Sequence, residues 1–124
     1  MVTIILSILL STYPWPIRPF GSAHQVSATL GDARGNTLTD PRFHRGIDIP
    51  ASNGTTVYSI ISDTARWGGI GVNSYVRVGD YWYIHLANRA KQDSFVLGIL
   101  DTIFPDSIGT VLDYPNGDHL HFQI

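Results

Sequence analysis

Residues 75–86 of the chain read YVRVGDYWYIHL and carry its clearest local signal. Two runs of β-branched and aromatic side chains, which favour strands, flank the pair Gly79-Asp80. A glycine in the first of two turn positions suits the type II′ turn that joins hairpin strands. The segment therefore predicts an antiparallel hairpin with strands Tyr75–Val78 and Tyr81–Leu86.

Alternation along the second hairpin strand predicts which of its side chains share a face. It places Tyr81, Tyr83 and His85 on one face, with Trp82, Ile84 and Leu86 on the other. Either tyrosine could then line a groove that contains His85, or both could serve only in packing. A single histidine in such a strand is more often a sheet-face residue than a catalyst.

Further β-prone segments lie on both sides of the hairpin. They are Gln25–Leu30, Ile47–Pro50, Thr55–Ile61, Ser94–Leu100, Ser107–Leu112 and His119–Gln123. Polar segments with glycine separate several of them, and Gly31–Pro41 is expected to be a loop. No stretch shows a helical period over eleven residues or more. The pattern predicts a mainly β domain built from antiparallel strands.

The composition bounds the class of protein. A chain of 124 residues is long enough for one domain. Hydrophobic residues make up 44% and charged residues 15%, which excludes a disordered chain. The net charge is −2 without a run of basic residues, so no nucleic-acid partner is expected. The lack of cysteine excludes disulfides, cysteine zinc sites and a thiol nucleophile.

The first ten residues, MVTIILSILL, form an apolar run that is too short to span a bilayer, which needs about 20 residues. Three interpretations stay open: the apolar part of a secretory signal, a β-strand, and an anchor on a membrane surface. We divide the chain into an N-terminal segment, residues 1–13, and a folded domain, residues 14–124. No transmembrane span is expected, and a truncated C-terminus is considered because the chain ends three residues after His121.

Two short motifs can supply metal ligands. His119 and His121 are two residues apart on a predicted strand, so their side chains project side by side from one face. His44 and Asp48 are four residues apart, and in a fully extended strand they would be separated by about 13 Å. Both can reach one ion only if the chain bends between them, which Gly46 allows.

Each motif alone is more often a pair of surface residues than a metal site. Together, two histidines and one aspartate are a plausible catalytic zinc set, since such sites use three protein ligands and leave the fourth position to water. Two more histidines would then remain for acid–base chemistry. The fifth, His24, fits no motif and is expected to be a loop residue.

The order of these motifs resembles the lysostaphin-type, or LytM-like, zinc metallopeptidases, which are peptidoglycan endopeptidases. The matching motifs are His44-x-x-x-Asp48, Tyr83-x-His85-Leu86 and His119-x-His121-Phe122, with Gly68-Gly69-x-Gly71 ahead of the hairpin. Residues 30–34 loosely resemble the Phe-Gly-x-Arg motif of the family, with one extra residue. The resemblance covers residues 14–124, which would form the zinc metallopeptidase domain.

The resemblance implies three zinc ligands, His44, Asp48 and His121. It implies His85 and His119 as catalytic residues, and leaves the division of work between them open. The implied fold is a mainly β domain, an antiparallel sheet with a groove walled by loops. The implied activity is zinc-dependent hydrolysis of peptide bonds in cell-wall peptidoglycan through a zinc-bound water. The scissile bond, in a glycine bridge or in a stem peptide with D-amino acids, stays open.

These expectations describe a secreted, periplasmic or cell-wall-associated monomer that acts on a peptide substrate. Two alternatives remain: a non-catalytic module that binds peptidoglycan or activates other hydrolases, and an inactive fragment of an endopeptidase. The complete ligand set favours the enzyme over the binding module.

Overall fold

The computed structural model describes residues 13–35, 39, 41–89 and 107–124. Regular structure in these residues is almost entirely antiparallel strand, which confirms the predicted mainly β fold class. The strands are β1 (Ala33–Arg34), β2 (Arg42–Phe43), β3 (Ile47–Pro50), β4 (Thr56–Tyr58), β5 (Ala65–Gly68), β6 (Tyr75–Val78), β7 (Tyr81–Ile84), β8 (Leu86–Ala87), β9 (Ser107–Val111) and β10 (His119–Gln123). A short 3₁₀ turn, Gly71–Asn73, precedes β6.

The main sheet brings the histidine motifs together. Its five strands run in the order β3-β10-β7-β6-β5, and each neighbouring pair is antiparallel. β10 lies between β3 and β7, so that His121 is opposite Asp48 on one side and Ile84 on the other. The final strand therefore joins the aspartate of the first motif to the strand that ends just before His85.

The core lies between this sheet and a three-stranded sheet with the order β4-β9-β8. The fully buried side chains come from both sheets: Ile49, Val76, Val78, Tyr83 and Leu120 from the first, and Val57, Leu86, Ile108 and Val111 from the second. In β10, alternation sends Leu120 into this core and turns its two histidine neighbours to the other face. Burying one such side chain contributes about 1.5–3 kcal/mol, so the core holds the histidine face in register.

The predicted hairpin is confirmed, with its second strand ending at Ile84 and not at Leu86. β6 and β7 pair from Tyr75 opposite Ile84 to Val78 opposite Tyr81, which leaves two residues for the turn. Gly79 has φ +58°, as the first turn position of a type II′ turn requires.

Two other predicted strands, residues 47–50 and 119–123, have the bounds that the sequence indicates. The predictions for residues 55–61 and 107–112 are confirmed in shorter form, at residues 56–58 and 107–111. The predicted strand at residues 94–100 and the apolar segment at residues 1–12 lie outside the described residues.

Three details differ from the sequence pattern. The predicted strand at residues 25–30 is wrong, because this segment contributes a bridge between Ala28 and Asp48 and otherwise runs as irregular chain. The loop predicted at residues 31–41 includes the two residues of β1, which pair with β2. The sequence of β5 does not alternate between apolar and polar residues, and this segment forms a strand because it pairs with β6. No helix among the described residues has the length and hydropathy to cross a membrane.

Candidate metal centre

Three potential ligand atoms converge at one point. His44 lies just before β3, Asp48 lies on β3, and His121 lies in the middle of β10. His44 Nε2 lies 2.9 Å from His121 Nδ1, and each of these nitrogens lies 3.0 Å from Asp48 Oδ1. All three residues are buried, with 7–8% of their surface exposed. They are distant in the chain, and the pairing of β3 with β10 brings them together. The structure thus brings the three predicted ligands to one point.

Gly46 allows the first motif to fold against the last strand. A Cβ added at this position would collide with the backbone oxygen of Phe122, and would lie 2.8 Å from Gln123 Cβ and 3.0 Å from His121 Nε2. Gly46 is not one of the described glycines with positive φ. The site therefore needs the absence of a side chain here, because β10 passes so close to the backbone.

Backbone and amide oxygens on the far side of the cluster determine the tautomers of its two histidines. His44 Nδ1 donates a hydrogen bond to the Thr29 carbonyl at 2.9 Å, and His121 Nε2 donates one to Gln123 Oε1 at 3.0 Å. Each ring then keeps its proton on the outer nitrogen, so that the inner nitrogen presents a lone pair. Two lone pairs and a carboxylate oxygen face one another without a hydrogen between them.

Such an arrangement of acceptors fits a metal cation. In a tetrahedral zinc site with bonds of 2.0–2.1 Å, the ligand atoms are about 3.3 Å apart. The cluster is a few tenths of an ångström tighter, so small adjustments of the side chains would accommodate the ion. The outer hydrogen bonds to the two imidazoles are the usual support of metal-binding histidines. These three residues could therefore hold a divalent metal ion.

Arg34 supports the third potential ligand. Its guanidinium lies 3.3 Å from Asp48 Oδ2, the carboxylate oxygen that the histidines do not contact. This pair keeps Oδ1 turned toward His44 and His121. Arg34 ends the segment 30–34 that loosely resembles the Phe-Gly-x-Arg motif, but that resemblance did not identify Asp48 as its partner; the structure shows the contact.

Two more histidines flank the cluster. His85 Nδ1 donates to the Val72 carbonyl at 2.5 Å and His119 Nδ1 donates to the Gly117 carbonyl at 2.8 Å. The ring centroids of the two residues are 4.8 Å apart, and His119 Nε2 lies 3.7 Å from Asp48 Oδ1. Both rings therefore carry their free lone pair on Nε2, the nitrogen suited to accept a proton. Burial lowers the pKa of His85 below its usual value of 6.5, which keeps the ring neutral at pH 7.

Solved structures share this architecture. The chain aligns with a zinc-containing peptidase from Vibrio cholerae at a TM-score of 0.68 and 18% identity, over 90% of this chain and 36% of that one. It also aligns with the catalytic domain of the prophage-encoded M23 protein EnpA from Enterococcus faecalis, at a TM-score of 0.57 and 23% identity. This alignment covers 86% of this chain and 84% of that one. The chain has the fold of the LytM-like M23 peptidases. The resemblance to the LytM-like M23 peptidases is thereby confirmed at the level of the fold.

A third structure with the M23 arrangement is Csd3 from Helicobacter pylori, with a TM-score of 0.55 and 26% identity over 89% of this chain and 30% of that one. The chain thus spans about a third of the length of the Vibrio and Helicobacter proteins. No protein-family sequence model matches the chain. No curated protein matches it either.

In this M23 fold the cluster of His44, Asp48 and His121 opens onto a groove of about 640 Å³. The lining of this groove includes His85, His119, Tyr114 and Arg34. The ring of Tyr114 lies 4.6 Å from that of His85 and 4.8 Å from that of His119, measured between centroids. The tyrosine that borders the flanking histidines is therefore Tyr114, from the loop between β9 and β10.

The expectation that Tyr83 shares a face with His85 is wrong. His85 has φ +68°, a backbone conformation that breaks the alternation between β7 and β8. Tyr83 is completely buried, and its hydroxyl accepts a hydrogen bond from the Ile60 N–H at 3.0 Å. Tyr81 stacks on Phe122 with centroids 5.7 Å apart. Both tyrosines thus pack, as the alternative interpretation held.

Asp118 fixes the loop that carries Tyr114. One of its carboxylate oxygens accepts the Tyr114 N–H at 2.9 Å and the other accepts the Asn53 N–H at 3.0 Å. The Gly117 N–H donates to the Tyr114 carbonyl at 3.1 Å and closes the turn between them. The backbone donors, Tyr114 first, hold the pKa of Asp118 below its usual range. This carboxylate positions the carbonyl that orients His119.

His24 lies apart from the site. Its Nε2 contacts the Pro19 carbonyl at 2.8 Å, and its ring packs near that of Trp15 with centroids 5.0 Å apart. It was expected to be a loop residue, and it lies in irregular chain between the N-terminal segment and β1.

Proposed function

We propose that the chain is a zinc-dependent endopeptidase that hydrolyses peptide bonds of bacterial cell-wall peptidoglycan. In this proposal His44, Asp48 and His121 hold the zinc ion, and His85 and His119 are the catalytic residues. The observation that carries it is a buried set of three converging acceptor atoms that opens onto a groove beside the imidazoles of His85 and His119. The relatives in fold are described as a zinc-containing peptidase and an M23 protein.

The proposed chemistry divides between the metal and the two flanking histidines. Zinc, when bound, lowers the pKa of a coordinated water to about 7 and polarises the carbonyl that is attacked. His85 and His119 each have Nδ1 committed to a backbone carbonyl, so each exchanges protons at Nε2. One of them would accept the proton from the attacking water, and the other would stabilise the oxyanion or protonate the leaving amine.

The hydrogen-bonded supports would keep these groups in place during turnover. Thr29 and Gln123 fix the ring orientation of the two ligand histidines through their outer nitrogens. Arg34 holds the second oxygen of Asp48. A peptide in the groove would then meet a rigid set of donors and acceptors, which reduces the reorganisation that the reaction requires.

Peptidoglycan lies outside the cytoplasm, so the proposed activity would take place in a compartment outside the cytoplasm. Residues 1–13 remain a candidate export segment, and a monomer remains the expected state. Both are proposals about the whole protein, and the activity can be tested on the chain by itself.

The test is product analysis of purified peptidoglycan after digestion by the zinc-loaded chain, with a chelated sample beside it. We expect new free amines that disappear on chelation and return with zinc, and their masses would identify the bond. His119→Ala should bind zinc normally and lose about 10²-fold to 10⁴-fold in rate, because it removes one acid–base group. His121→Ala should lose both zinc affinity and activity.

His24→Ala is the matched control, since it removes a histidine outside the site. It should digest peptidoglycan at the unmodified rate. A folded, zinc-bound chain that releases no product would contradict the enzyme and favour a module that only binds the wall. Product formation that persists in His121→Ala would contradict the assigned ligand set.

A further inference from the structure

The glycine-rich loop that precedes the hairpin carries the carbonyl that orients His85. This loop, residues 68–74, contains the 3₁₀ turn Gly71–Asn73, and the carbonyl of Val72 in that turn accepts the hydrogen bond from His85 Nδ1 at 2.5 Å. None of the three turn residues is buried, and Ile70, just before the turn, is 90% exposed. Packing into the core therefore does not hold this carbonyl in place, so its position depends on hydrogen bonds.

Backbone contacts close the loop on itself. The Asn73 N–H donates to the Ile70 carbonyl at 3.2 Å, and the Ser74 N–H donates to the Gly71 carbonyl at 3.1 Å. Gly69 has φ +72°, and a Cβ at this position would collide with the Asn73 carbonyl. The loop thus folds back so closely on its own start that glycine is required there.

Residues that follow His85 in the chain hold the two ends of the loop. At its end, the carbonyl of the buried Ser74 accepts the Leu86 N–H at 3.1 Å. At its start, one guanidinium nitrogen of Arg89 donates to the carbonyls of the first two loop residues, to the second of them at 3.4 Å. The histidine that uses the loop therefore lies within four residues of both groups that hold it.

The surroundings of Arg89 suit this contact. Asn88 has φ +48°, and its side-chain amide donates to Thr110 Oγ1 at 3.2 Å, which fixes the bend of the chain before Arg89. The guanidinium carbon lies over the Trp67 ring, 5.3 Å from its centroid. A cation over an aromatic face is attracted to it, and a planar guanidinium presents its donors in fixed directions. An arginine therefore fits this place better than a lysine.

We propose that Arg89 is a positioning residue for His85. It holds the start of the loop, and so keeps the Val72 carbonyl where it accepts the Nδ1 proton of His85. The lone pair of this ring is then kept on Nε2, in a side chain that lines the groove. That His85 exchanges protons with a substrate rests on the proposed function, whereas the effect of Arg89 on its tautomer does not.

Nuclear magnetic resonance tests the effect on the tautomer without requiring cleavage. The full chain is labelled with nitrogen-15 and loaded with zinc, and long-range proton–nitrogen correlations show which ring nitrogen carries the proton. The measurement is made at about pH 8, where an ordinary histidine is neutral. The His85 signals are identified by their loss in His85→Ala. We expect Nδ1–H alone in the unmodified chain and a mixture of both tautomers in Arg89→Met.

Kinetics on soluble peptidoglycan fragments measures the consequence for the proposed reaction. Arg89→Met keeps the apolar stem of the side chain and removes its donors. It should lower kcat about tenfold at unchanged KM and zinc affinity, because His85 then spends part of its time in the wrong tautomer. Arg89→Lys keeps the charge and donates from a single nitrogen, so it should recover part of the rate and of the Nδ1–H signal.

Two further variants control the experiment. Arg66→Met is the matched control, since Arg66 is an exposed arginine on β5 that lines a different cavity. It should leave both the tautomer and kcat unchanged. Gly69→Ala displaces the same loop at Asn73 without touching Arg89, so it should also mix the tautomers. Thermal unfolding verifies that each variant is folded, and Arg89→Lys and Gly69→Ala carry the test if Arg89→Met is not.

The outcomes separate the inference from the proposed function. A His85 ring that keeps Nδ1–H alone in Arg89→Met overturns the inference, and so does a mixture already present in the unmodified chain. Mixed tautomers in Arg89→Met, in a chain that cleaves nothing, would support the positioning role and refute the endopeptidase. Zinc-dependent cleavage that proceeds at the same rate in Arg89→Met, with an unchanged tautomer, would do the reverse.

Discussion

The substitution Gly46→Ala probes the closest approach in the site. It adds one methyl group where β10 passes over the first motif, and leaves every proposed ligand in place. The added Cβ would collide with the Phe122 carbonyl and would lie 2.8 Å from Gln123 Cβ. Since one of these atoms belongs to the backbone of a paired strand, a rotamer change cannot relieve the contact.

The magnitude follows from the atoms involved. Extra methylene groups in a packed region cost about 1–3 kcal/mol when side chains can move. Here the backbone of β10 must shift, so we expect a loss of about 2–3 kcal/mol in the free energy of unfolding. The same Cβ would lie 3.0 Å from His121 Nε2, on the side where this nitrogen donates to Gln123. Displacing that support should lower zinc affinity by about tenfold or more.

Urea unfolding with and without zinc, together with a competition assay for zinc affinity, measures both effects. Gly21→Ala is the matched control, because a Cβ at Gly21 would meet nothing within 4 Å. It should change the free energy of unfolding by less than about 0.5 kcal/mol. If Gly46→Ala unfolds and binds zinc as Gly21→Ala does, the close approach of β10 to Gly46 is refuted.

Three further changes test other parts of the structure. Burial raises the pKa of Tyr83 to about 12. The free energy of unfolding should therefore fall by roughly 2–3 kcal/mol as pH rises from about 10 through 12, with full stability below that window. Tyr83→Phe should flatten this loss in urea titrations at alkaline pH. Gln123→Leu removes the acceptor of His121 Nε2, and a competition titration should show zinc affinity reduced about tenfold or more. Asp118→Asn leaves one of two backbone N–H donors without its acceptor, so steady-state kinetics should show kcat reduced by about tenfold at unchanged zinc affinity. An unchanged kcat in that variant would mean that the loop holds His119 without the carboxylate.

Local patterns were sufficient for the hairpin and for the last strand. In residues 75–86 the turn chemistry and the strand-forming side chains agree, and the structure has the predicted pairing. In residues 119–123 the period of two separates Leu120 from the two histidines, and Leu120 packs in the core while both histidines face the ligand cluster. Such features depend on neighbours within a few residues, so the sequence contains all that they need.

The same alternation fails at His85. Its φ of +68° is an uncommon conformation for a residue with a side chain and breaks the alternation, so Tyr83 packs in the core whereas His85 lies beside the cluster of His44, Asp48 and His121. A period of two assumes an unbroken strand, and the contact of His85 with the Val72 carbonyl is made across thirteen residues. The pattern therefore identified the histidine and placed the wrong tyrosine beside it.

By itself, the sequence determined that the chain is mainly β, that it lacks cysteine chemistry, and that its histidine motifs follow the order of a known peptidase family. Only the tertiary structure decided that Arg34 holds Asp48, that Thr29 supports His44, and that His44 meets His121. The physical reason is the separation along the chain over which each kind of interaction acts. Strand propensity and turn chemistry act over a few residues, whereas these contacts join parts of the chain that only the pairing of distant strands brings within 3–4 Å.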